Sequence, residues 1–260
     1  MSAKDLIETL ASKGHYSFTS EEARTALKVS PDASKLALNR LARQGLIASP
    51  ARGFYVIIPP EYRSLGCLPA EQFIPDLMKS KDLTYYAGLL TAAQYYGAAH
   101  HRPQEFQVFV QKNRRPIRCG KIRVKFIARK NIGDMPVRKF NTSRGELRVS
   151  TPEGTAIDLA GYPEYVGGLD QVATILSELA DQIEASALAD AAATAPITWV
   201  QRLGYMLELV EAKNAAAGLR EYVGQHAREY TMLIPGRRCD EGQRLQDWKL
   251  VVNAELEPDI

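Results

Sequence analysis

The sequence predicts an α+β protein, in which a small N-terminal domain precedes a larger mixed domain with a basic β-sheet and late helices. Three observations give this fold class. The first sixty residues alternate between short helical and short strand patterns. Residues 105–130 hold two strongly basic strand patterns, and the last hundred residues are mostly amphipathic helix.

Length and composition indicate a soluble globular protein with one large or two modest domains. The chain has 260 residues, of which 45% are hydrophobic and 24% are charged. No run approaches the roughly 18 apolar residues of a membrane helix. Charges interrupt the N-terminal "MSAKDLIETLASKG", which therefore does not resemble a signal peptide. We expect a cytoplasmic protein.

The formal net charge of +3 conceals a strong polarity along the chain. Lys and Arg exceed Asp and Glu by two over residues 1–62 and equal them over 63–101. They are in excess by eleven over 102–148, whereas the acids are in excess by ten over 149–260. The small net charge of the whole chain is therefore the sum of a basic middle and an acidic end.

The first thirty residues predict two helices separated by a brief strand. Ser2 and Asp5 have the spacing of a capping box, and Gly14 ends the first helix. The strand follows in "HYSFT". Ser20 is the predicted cap of a second helix, whose acidic first turn suits the helix dipole.

The third helix, "SPDASKLALNRLARQG", has Pro31 in its first turn and ends at Gly45. Together with the second helix it gives a helix-turn-helix, whose later helix faces the groove in DNA-binding versions. The predicted packing side consists of Ala33, Ala37, Leu38, Leu41 and Ala42. The predicted contact residues are Ser34, Lys35, Asn39, Arg40 and Arg43.

A β-hairpin is expected next, because "LIASPARGFYVII" alternates on both sides of Pro50 to Gly53 and places Arg52 at the tip. The order of helix, strand, helix, turn, helix and hairpin is that of a winged helix. Residues 33–60 hold four basic and no acidic groups. This favours DNA binding over the alternative, a protein-docking module with a merely solvated face.

The contact residues of the third helix differ in what they suit chemically. Asn39 suits a bidentate contact with adenine, and Arg40 or Arg43 suits guanine. The remaining cations suit phosphate oxygens. The sequence does not decide which side chain contacts which group.

The middle of the chain is predicted to connect two domains. Residues 59–82 hold four prolines and lack periodicity. The predicted boundaries are therefore 1–62 for the winged helix, 63–82 for the connecting segment and 83–260 for the C-terminal domain. An Ala-rich helix is expected from Thr84 to about Tyr96.

Two basic strands are expected around the turn-like "KNRRPIRCG". Their alternating apolar residues are Phe106, Val108 and Val110, then Ile122, Val124 and Phe126. Their outward basic residues are Arg114, Arg115, Arg118, Lys121, Arg123, Lys125, Arg129 and Lys130. Such a face requires an anionic partner, and three remain open: nucleic-acid backbone, acidic helices of the C-terminal third, or an acidic partner protein.

The C-terminal third predicts helices and a closing strand. A strand ends at Ser150, which has capping-box spacing to Glu153 at the start of a helix. Amphipathic helices are expected in "GGLDQVATILSELADQIEASALADAAA" and "ITWVQRLGYMLELVEAKNAAAGLREYVGQ". "DWKLVVNAELEPDI" alternates and is expected to close the chain as a strand.

The sequence holds no strong catalytic signature. Motifs for phosphate binding, dinucleotide binding, a nucleophile elbow and a zinc protease are all missing. We therefore expect no catalytic residue, no cofactor and no enzyme activity. The enzyme alternative is a metal-dependent nuclease that uses Asp134, Glu146 and Asp158 as metal carboxylates.

The histidines and cysteines predict neither a metal site nor a disulfide framework. His100 and His101 are adjacent, and adjacent side chains rarely converge on one ion. Cys67, Cys119 and Cys239 lack the spacing of metal ligands and are expected to be free thiols.

Several stretches of the chain resemble the AbiEi family of antitoxins. They are "RLARQGLIASPARGFYVI", "YYAGLLTAAQYYGAAHHRPQEFQVFV", "RRPIRCGKIRVKF", "LRVSTPEGTAIDLAGYPEYVGGLDQVATIL" and "LVVNAELEPDI". The resemblance covers nearly the whole chain. Its most specific part is "AAHHRPQEFQVFV" followed by "STPEGTAIDLAGYP".

The resemblance implies the antitoxin of a type IV toxin–antitoxin pair, used in abortive infection against phage. Such proteins bind inverted repeats in their own promoter and repress the operon, which requires two copies on the DNA. They counteract a nucleotidyltransferase-like toxin without forming a stable complex. Their C-terminal domain is linked with antitoxicity, and its positive surface is expected to assist DNA binding. The alternative is a transcription regulator without an antitoxin role.

The family pattern assigns roles to residues of this chain. The recognition-helix role falls on Ser34, Lys35, Asn39, Arg40 and Arg43, and the wing role falls on Arg52. The secondary basic surface, which follows from the charge of the two strands and not from the family pattern, consists of Arg114, Arg115, Arg118, Lys121, Arg123 and Lys125. No catalytic or metal-binding residue is transferred, and no membrane partner is implied.

Overall fold

The computed structural model describes residues 1–98, 103–237 and 242–259. His100, His101 and Cys239, which entered the metal and thiol predictions, lie outside these ranges. The chain forms two compact units. Unit 1 is Met1–Tyr86, Gln104–Ile132 and Lys139–Arg148, and unit 2 is Ala87–Pro103, Gly133–Arg138 and Val149–Ile260. The domain boundaries at 62 and 82 stay a prediction, because contact density does not show which segments fold independently.

The α+β fold class is confirmed. The helices are α1 (Ala3–Ser12), α2 (Ser20–Leu27), α3 (Pro31–Arg43), α4 (Ala70–Ser80), α5 (Leu89–Tyr95), α6 (Pro152–Gly161), α7 (Leu169–Leu179), α8 (Ala185–Ala192), α9 (Ile197–Leu209) and α10 (Lys213–His226). The strands are β1 (Ser17–Thr19), β2 (Ile47–Ala51), β3 (Phe54–Ile57), β4 (Tyr85–Ala87), β5 (Phe106–Val110), β6 (Ile117–Cys119), β7 (Ile122–Ala128), β8 (Val137–Thr142), β9 (Gly145–Ser150), β10 (Thr231–Met232), β11 (Gln243–Leu245) and β12 (Leu250–Val252). Among the described residues, no helix has the length and apolar character needed to cross a membrane.

The N-terminal residues form the predicted winged helix. Three helices pack on a small sheet with the strand order β1-β3-β2. The predicted Ser2–Asp5 capping box is present, and Gly53 turns the hairpin with a φ of 74°. The core consists of Leu6, Ile7, Phe18, Ala23, Leu27, Leu38, Leu41, Ile47 and Ile57. Every element of this domain therefore follows the predicted order.

Two predicted helix caps are displaced by one residue. Thr19, and not Ser20, caps α2, and it forms a capping box with Glu22. Thr151, and not Ser150, caps α6. A cap needs an extended backbone before the first helical residue, and neighbouring hydroxyl residues hide which of them has it.

A six-stranded sheet lies mainly in unit 1 and has the order β6-β7-β5-β4-β9-β8. The two predicted basic strands are adjacent, but they run parallel, with Val108 opposite Phe126. β6 lies in the connection between them and pairs antiparallel with β7. The prediction of two strands joined by a turn is therefore wrong in topology, because a three-residue strand is too short to show an alternating pattern.

The predicted single helix from Thr84 to Tyr96 is also wrong. Its first residues form β4, and only the remainder forms α5. Tyr86 is buried and stacks on Phe109 with ring centroids 5.0 Å apart. Aromatic side chains suit a buried strand, and this packing overrides the helical preference of the neighbouring alanines.

Residues 63–82, predicted as a connecting segment, contain α4. The helix continues through Pro75, whose ring ordinarily interrupts helices. It persists because its apolar side is buried, since tertiary packing supplies most of a helix's stability. The buried apolar side consists of Ala70, Phe73, Ile74, Leu77 and Met78.

Arg144 ties the winged helix to the rest of unit 1. Its Cζ lies 3.3 Å from the ring centroid of Tyr16, and its Nε donates a hydrogen bond to Gln72 Oε1 at 2.7 Å. The hydroxyl of Ser17 donates to Asp76 at 2.6 Å. The winged helix is therefore fixed against α4 by polar contacts as well as by packing.

We expect Arg144→Met to lower the free energy of unfolding by about 2 kcal/mol. The substitution keeps most of the aliphatic stem but removes a charged hydrogen bond and a cation–π contact. The measurement is urea unfolding followed by circular dichroism. The control is Lys139→Met, which removes a more exposed ion pair to Glu146 and should cost less than about 1 kcal/mol. Equal losses in the two variants would contradict the anchoring role of Arg144.

Unit 2 consists mostly of helices, as predicted for the late part of the chain. α6 is buried along almost its whole length and contacts α5, α7, α8 and α9. β12 is the predicted closing strand, and it lies in the centre of a small sheet between β10 and β11. Trp248 is buried, and its indole N–H donates to Glu208 at 2.7 Å.

Candidate nucleic-acid interface

The predicted contact residues of α3 are exposed, with one exception. The exposed residues are Lys35, Asn39, Arg40 and Arg43. Ser34 is only 3% exposed, so its predicted place on the contact surface is wrong. It lies four residues before the buried Leu38, and residues with this spacing share one side of a helix.

The ends of α3 are stabilised within the chain itself. Ser30 Oγ accepts the backbone N–H of Ala33 at 3.3 Å, and Pro31 occupies the first turn. Arg40 and Arg43 lie in the last turn, where cations stabilise the negative end of the helix dipole. The helix therefore needs no ligand to hold these side chains on its surface.

The wing is held in place by hydrogen bonds around its tip. The single hydroxyl proton of Ser49 is shared between the carbonyl oxygens of Ala51 and Phe54, which lie 3.0 Å and 3.1 Å from Oγ. Lys81 Nζ donates to the carbonyl oxygen of Arg52 at 3.2 Å. The Arg52 side chain is exposed, as predicted. The hairpin therefore presents Arg52 from a fixed backbone.

The wing and the basic turn before β6 line one cleft in unit 1. The cleft has a volume of about 250 Å³, and its lining includes Arg52, Lys81, Arg114 and Arg115. Pro50 and Pro116 line it as well. Four cations from three separate segments of the chain therefore share one surface, and mutual repulsion at such a surface favours an anionic ligand.

Most of the secondary basic surface is exposed. Arg114, Arg115, Arg118 and Lys121 are exposed, and Arg123 and Lys125 are half-buried. In the described part of unit 1, no ion pair joins a carboxylate to Arg114, Arg115, Arg118 or Lys121. The charge of the turn is therefore not neutralised within this unit.

Two of the predicted outward residues, Arg123 and Arg129, are not freely exposed to solvent. Arg123 donates to the carbonyl oxygen of Gly120 at 2.8 Å. Arg129 is only 3% exposed, so its predicted outward position is wrong. It follows the last residue of β7, Ala128, and alternation of faces does not continue beyond the end of a strand.

The structure brings Cys67 and Cys119 together. Both are buried free thiols, as predicted. The hydrogen bond to Cys119 and burial raise the pKa of the Cys67 thiol. Hydrogen bonds from Cys67 and from the Ser49 backbone N–H lower the pKa of the Cys119 thiol. Gly120 allows the backbone beside Cys119 to approach the backbone of Leu65 and Gly66, because a Cβ at residue 120 would overlap the carbonyl oxygen of Leu65.

The three acids of the nuclease alternative differ in burial: Asp134 and Glu146 are exposed, and Asp158 is buried. Asp158 is completely buried, whereas Glu146 is exposed and bonds to Lys139 at 2.8 Å. Within residues 1–98, 103–237 and 242–259, no group of three His, Cys, Asp or Glu side chains is placed to hold a metal ion. The described structure therefore gives this alternative no support.

Two residues of the surface were missed by sequence reasoning. Lys81 directly follows α4. A cation at the C-terminal end of a helix stabilises the helix dipole, so the position of Lys81 gave no separate sign that it lies on this surface. Leu36 is 60% exposed on α3, amid polar residues, and helical periodicity alone could have shown its outward position.

Family models match both parts of the chain. The model described as "Transcriptional regulator, AbiEi antitoxin" matches residues 5–58. The model described as "AbiEi antitoxin C-terminal domain" matches residues 86–209. No curated protein sequence matches the chain.

Solved structures extend the comparison at the level of fold. The crystal structure of the RV2827C protein from Mycobacterium tuberculosis is similar, with a TM-score of 0.67 and 17% identity. The match covers 96% of this chain and 90% of that one. The antibiotic-resistance factor ANT(2'')-Ia matches with 12% identity over 59% of this chain and 94% of that one, and the TM-score of this match is 0.29.

Proposed function

The chain belongs to the AbiEi antitoxin family, and we propose that it is the DNA-binding autorepressor and antitoxin of a type IV toxin–antitoxin system. The observation that carries the DNA-binding part is the cleft of unit 1 that Arg52, Lys81, Arg114 and Arg115 line together, in the same unit as the exposed cations of α3. The exposed cations of α3, the wing tip Arg52 and the turn residues Arg114 and Arg115 all belong to that unit.

In the proposed complex, α3 lies in the major groove of operator DNA. Asn39, Arg40 and Arg43 then face base edges, and Lys35 faces a phosphate. Arg52 meets the adjacent backbone or minor groove, as wings do in this class of domain. Two copies occupy an inverted repeat, because one copy reads one half-site.

The basic turn extends the proposed contact beyond the winged helix. The shared cleft places Arg114 and Arg115 with Arg52, so a duplex that reaches the wing also passes near the turn. These arginines then contact flanking phosphates and contribute affinity without sequence information. Of the three anionic partners that the sequence left open, we therefore propose nucleic-acid backbone, and the acidic helices and an acidic partner protein are the alternatives to be tested.

The antitoxin role is proposed from family membership. The domain that the antitoxin C-terminal model matches would counteract a nucleotidyltransferase-like toxin without a stable complex between the two proteins. In this proposal the protein acts in the cytoplasm, on its own operon and on the toxin. No enzyme activity is required for either role.

The proposal is tested in cells of a host that lacks the operon. A reporter joined to the protein's own upstream DNA is expected to fall about tenfold or more when the protein is expressed. If a nucleotidyltransferase-like gene lies beside its own, expression of the protein is also expected to restore growth when that gene is induced. A tagged toxin should not retain the protein during purification.

A reporter driven by an unrelated promoter is the control for repression. Repression of both reporters alike would reject sequence-specific autorepression. Growth arrest that persists despite expression of the protein would reject the antitoxin role. The repressor role would then be tested by the two reporters alone.

A further inference from the structure

The outward side of α3 has an apolar centre. Leu36 is two residues from both Ser34 and Leu38, which are buried. At 100° per residue, this spacing puts Leu36 roughly 160° around the helix from each of them. Leu36 therefore points directly away from the core, and its side chain is 60% exposed.

The groups that surround Leu36 are those proposed to contact DNA. Asn39, Arg40 and Arg43 all lie within about 60° of Leu36 around the helix axis. A recognition helix that places these three side chains against base edges also places Leu36 against the floor of the groove. The centre of the contact is then made by a hydrocarbon side chain rather than by a hydrogen-bonding one.

The size of this apolar feature indicates the kind of partner that it fits. A single leucine amid cations is far smaller than the roughly 800 Å² per partner that a stable protein interface buries. The major groove of DNA, in contrast, offers one small apolar group, the C5-methyl of thymine. Contact with that methyl removes apolar surface from water while the neighbouring cations face phosphates and bases.

We propose that Leu36 contacts the C5-methyl groups of thymines in the operator and makes the affinity of the protein depend on them. This inference rests on the proposed DNA-binding function and deepens it. It assigns Leu36 a part in sequence discrimination, since the methyl group distinguishes thymine from the other bases in the major groove. Operator half-sites are then expected to carry thymine where the middle of α3 meets the groove.

Uracil-containing DNA tests the inference directly. The protein's upstream fragment is amplified once with dTTP and once with dUTP, so that the two products differ by the C5-methyl of thymine. Dissociation constants are measured by gel shift for the wild type, Leu36→Ala and Lys35→Ala. The wild type is expected to bind the uracil fragment about fourfold more weakly for each methyl group that it contacts.

The two variants separate the methyl contact from other effects of uracil. Leu36→Ala is expected to bind the thymine fragment more weakly and to lose most of the difference between the fragments. Lys35→Ala is the matched control, because it removes a neighbouring cation and should lower both affinities while keeping the wild-type ratio. Circular dichroism checks that both variants fold, which the exposure of both side chains predicts.

Two results would overturn the inference while leaving the proposed function intact. They are equal wild-type affinity for the two fragments, and an undiminished thymine preference in Leu36→Ala. A wild-type protein that binds neither fragment more tightly than unrelated DNA would instead overturn the proposed function, and this inference with it.

Discussion

Replacing Lys35, Arg40 and Arg43 together by alanine is expected to weaken binding to the protein's upstream DNA by about a hundredfold or more. Base contacts by arginine are each worth roughly 1–3 kcal/mol, and lost phosphate contacts add to this. The three side chains are exposed, so the domain should still fold, with only the small loss of stability that removing two cations from the last turn of α3 causes. The slope of log affinity against log salt concentration should become shallower by about one unit for each phosphate contact that is lost.

The control for this variant removes the same charge from other parts of the winged helix. Lys4, Lys13 and Arg24 are exposed cations of the N-terminal domain that lie outside α3 and the wing. Their combined replacement by alanine should cost much less affinity. An unchanged affinity and salt slope in the first variant, or equal losses in both, would reject α3 as the recognition helix.

Reversal of charge at Arg114, Arg115 and Arg118 is expected to weaken DNA binding by at least tenfold and to leave the unfolding temperature nearly unchanged. Three favourable phosphate contacts become three repulsions, and that effect is screened by salt. Stability should change little, because these exposed arginines form no ion pair in the described part of unit 1. Gel shifts at several salt concentrations and thermal unfolding measure the two effects.

A matched reversal at Lys213, Arg228 and Arg237 controls for the change in net charge. These exposed cations belong to unit 2 and to no proposed DNA contact. A lower unfolding temperature with unaltered DNA binding in the first variant would favour the internal acidic helices as the partner of the basic strands. Equal loss of DNA binding in both variants would mean that only net charge matters.

The winged helix was predictable because its signals are local. The capping pair of Ser2 and Asp5, Pro31 at a helix start and Gly53 in a tight turn each act within a few residues. Periodicity adds the buried Leu38 and Leu41 of α3, although Ala33 and Ala42 of its predicted packing side are exposed. The errors in this domain are correspondingly small, such as the displaced cap at Thr19.

The sheet and the shape of the site were less predictable, because they depend on contacts between distant residues. Nothing near Tyr86 in sequence shows that Phe109 will stack on it and that the first residues of the predicted helix will form a strand. Likewise, the cleft that Arg52 and Arg114 share, and the contact of Arg144 with Tyr16, join segments separated by many residues. Composition showed that the middle of the chain is basic, but only the fold shows that part of it lies beside the wing.

The protein is proposed above all to recognise the operator of its own gene. The most direct measurement is the affinity of the purified protein for its upstream fragment, compared with a shuffled fragment of the same length and composition, at physiological salt. We predict that the upstream fragment binds about a thousandfold more tightly, or better, as specific protein–DNA complexes do. Equal affinities for the two fragments would contradict the claim.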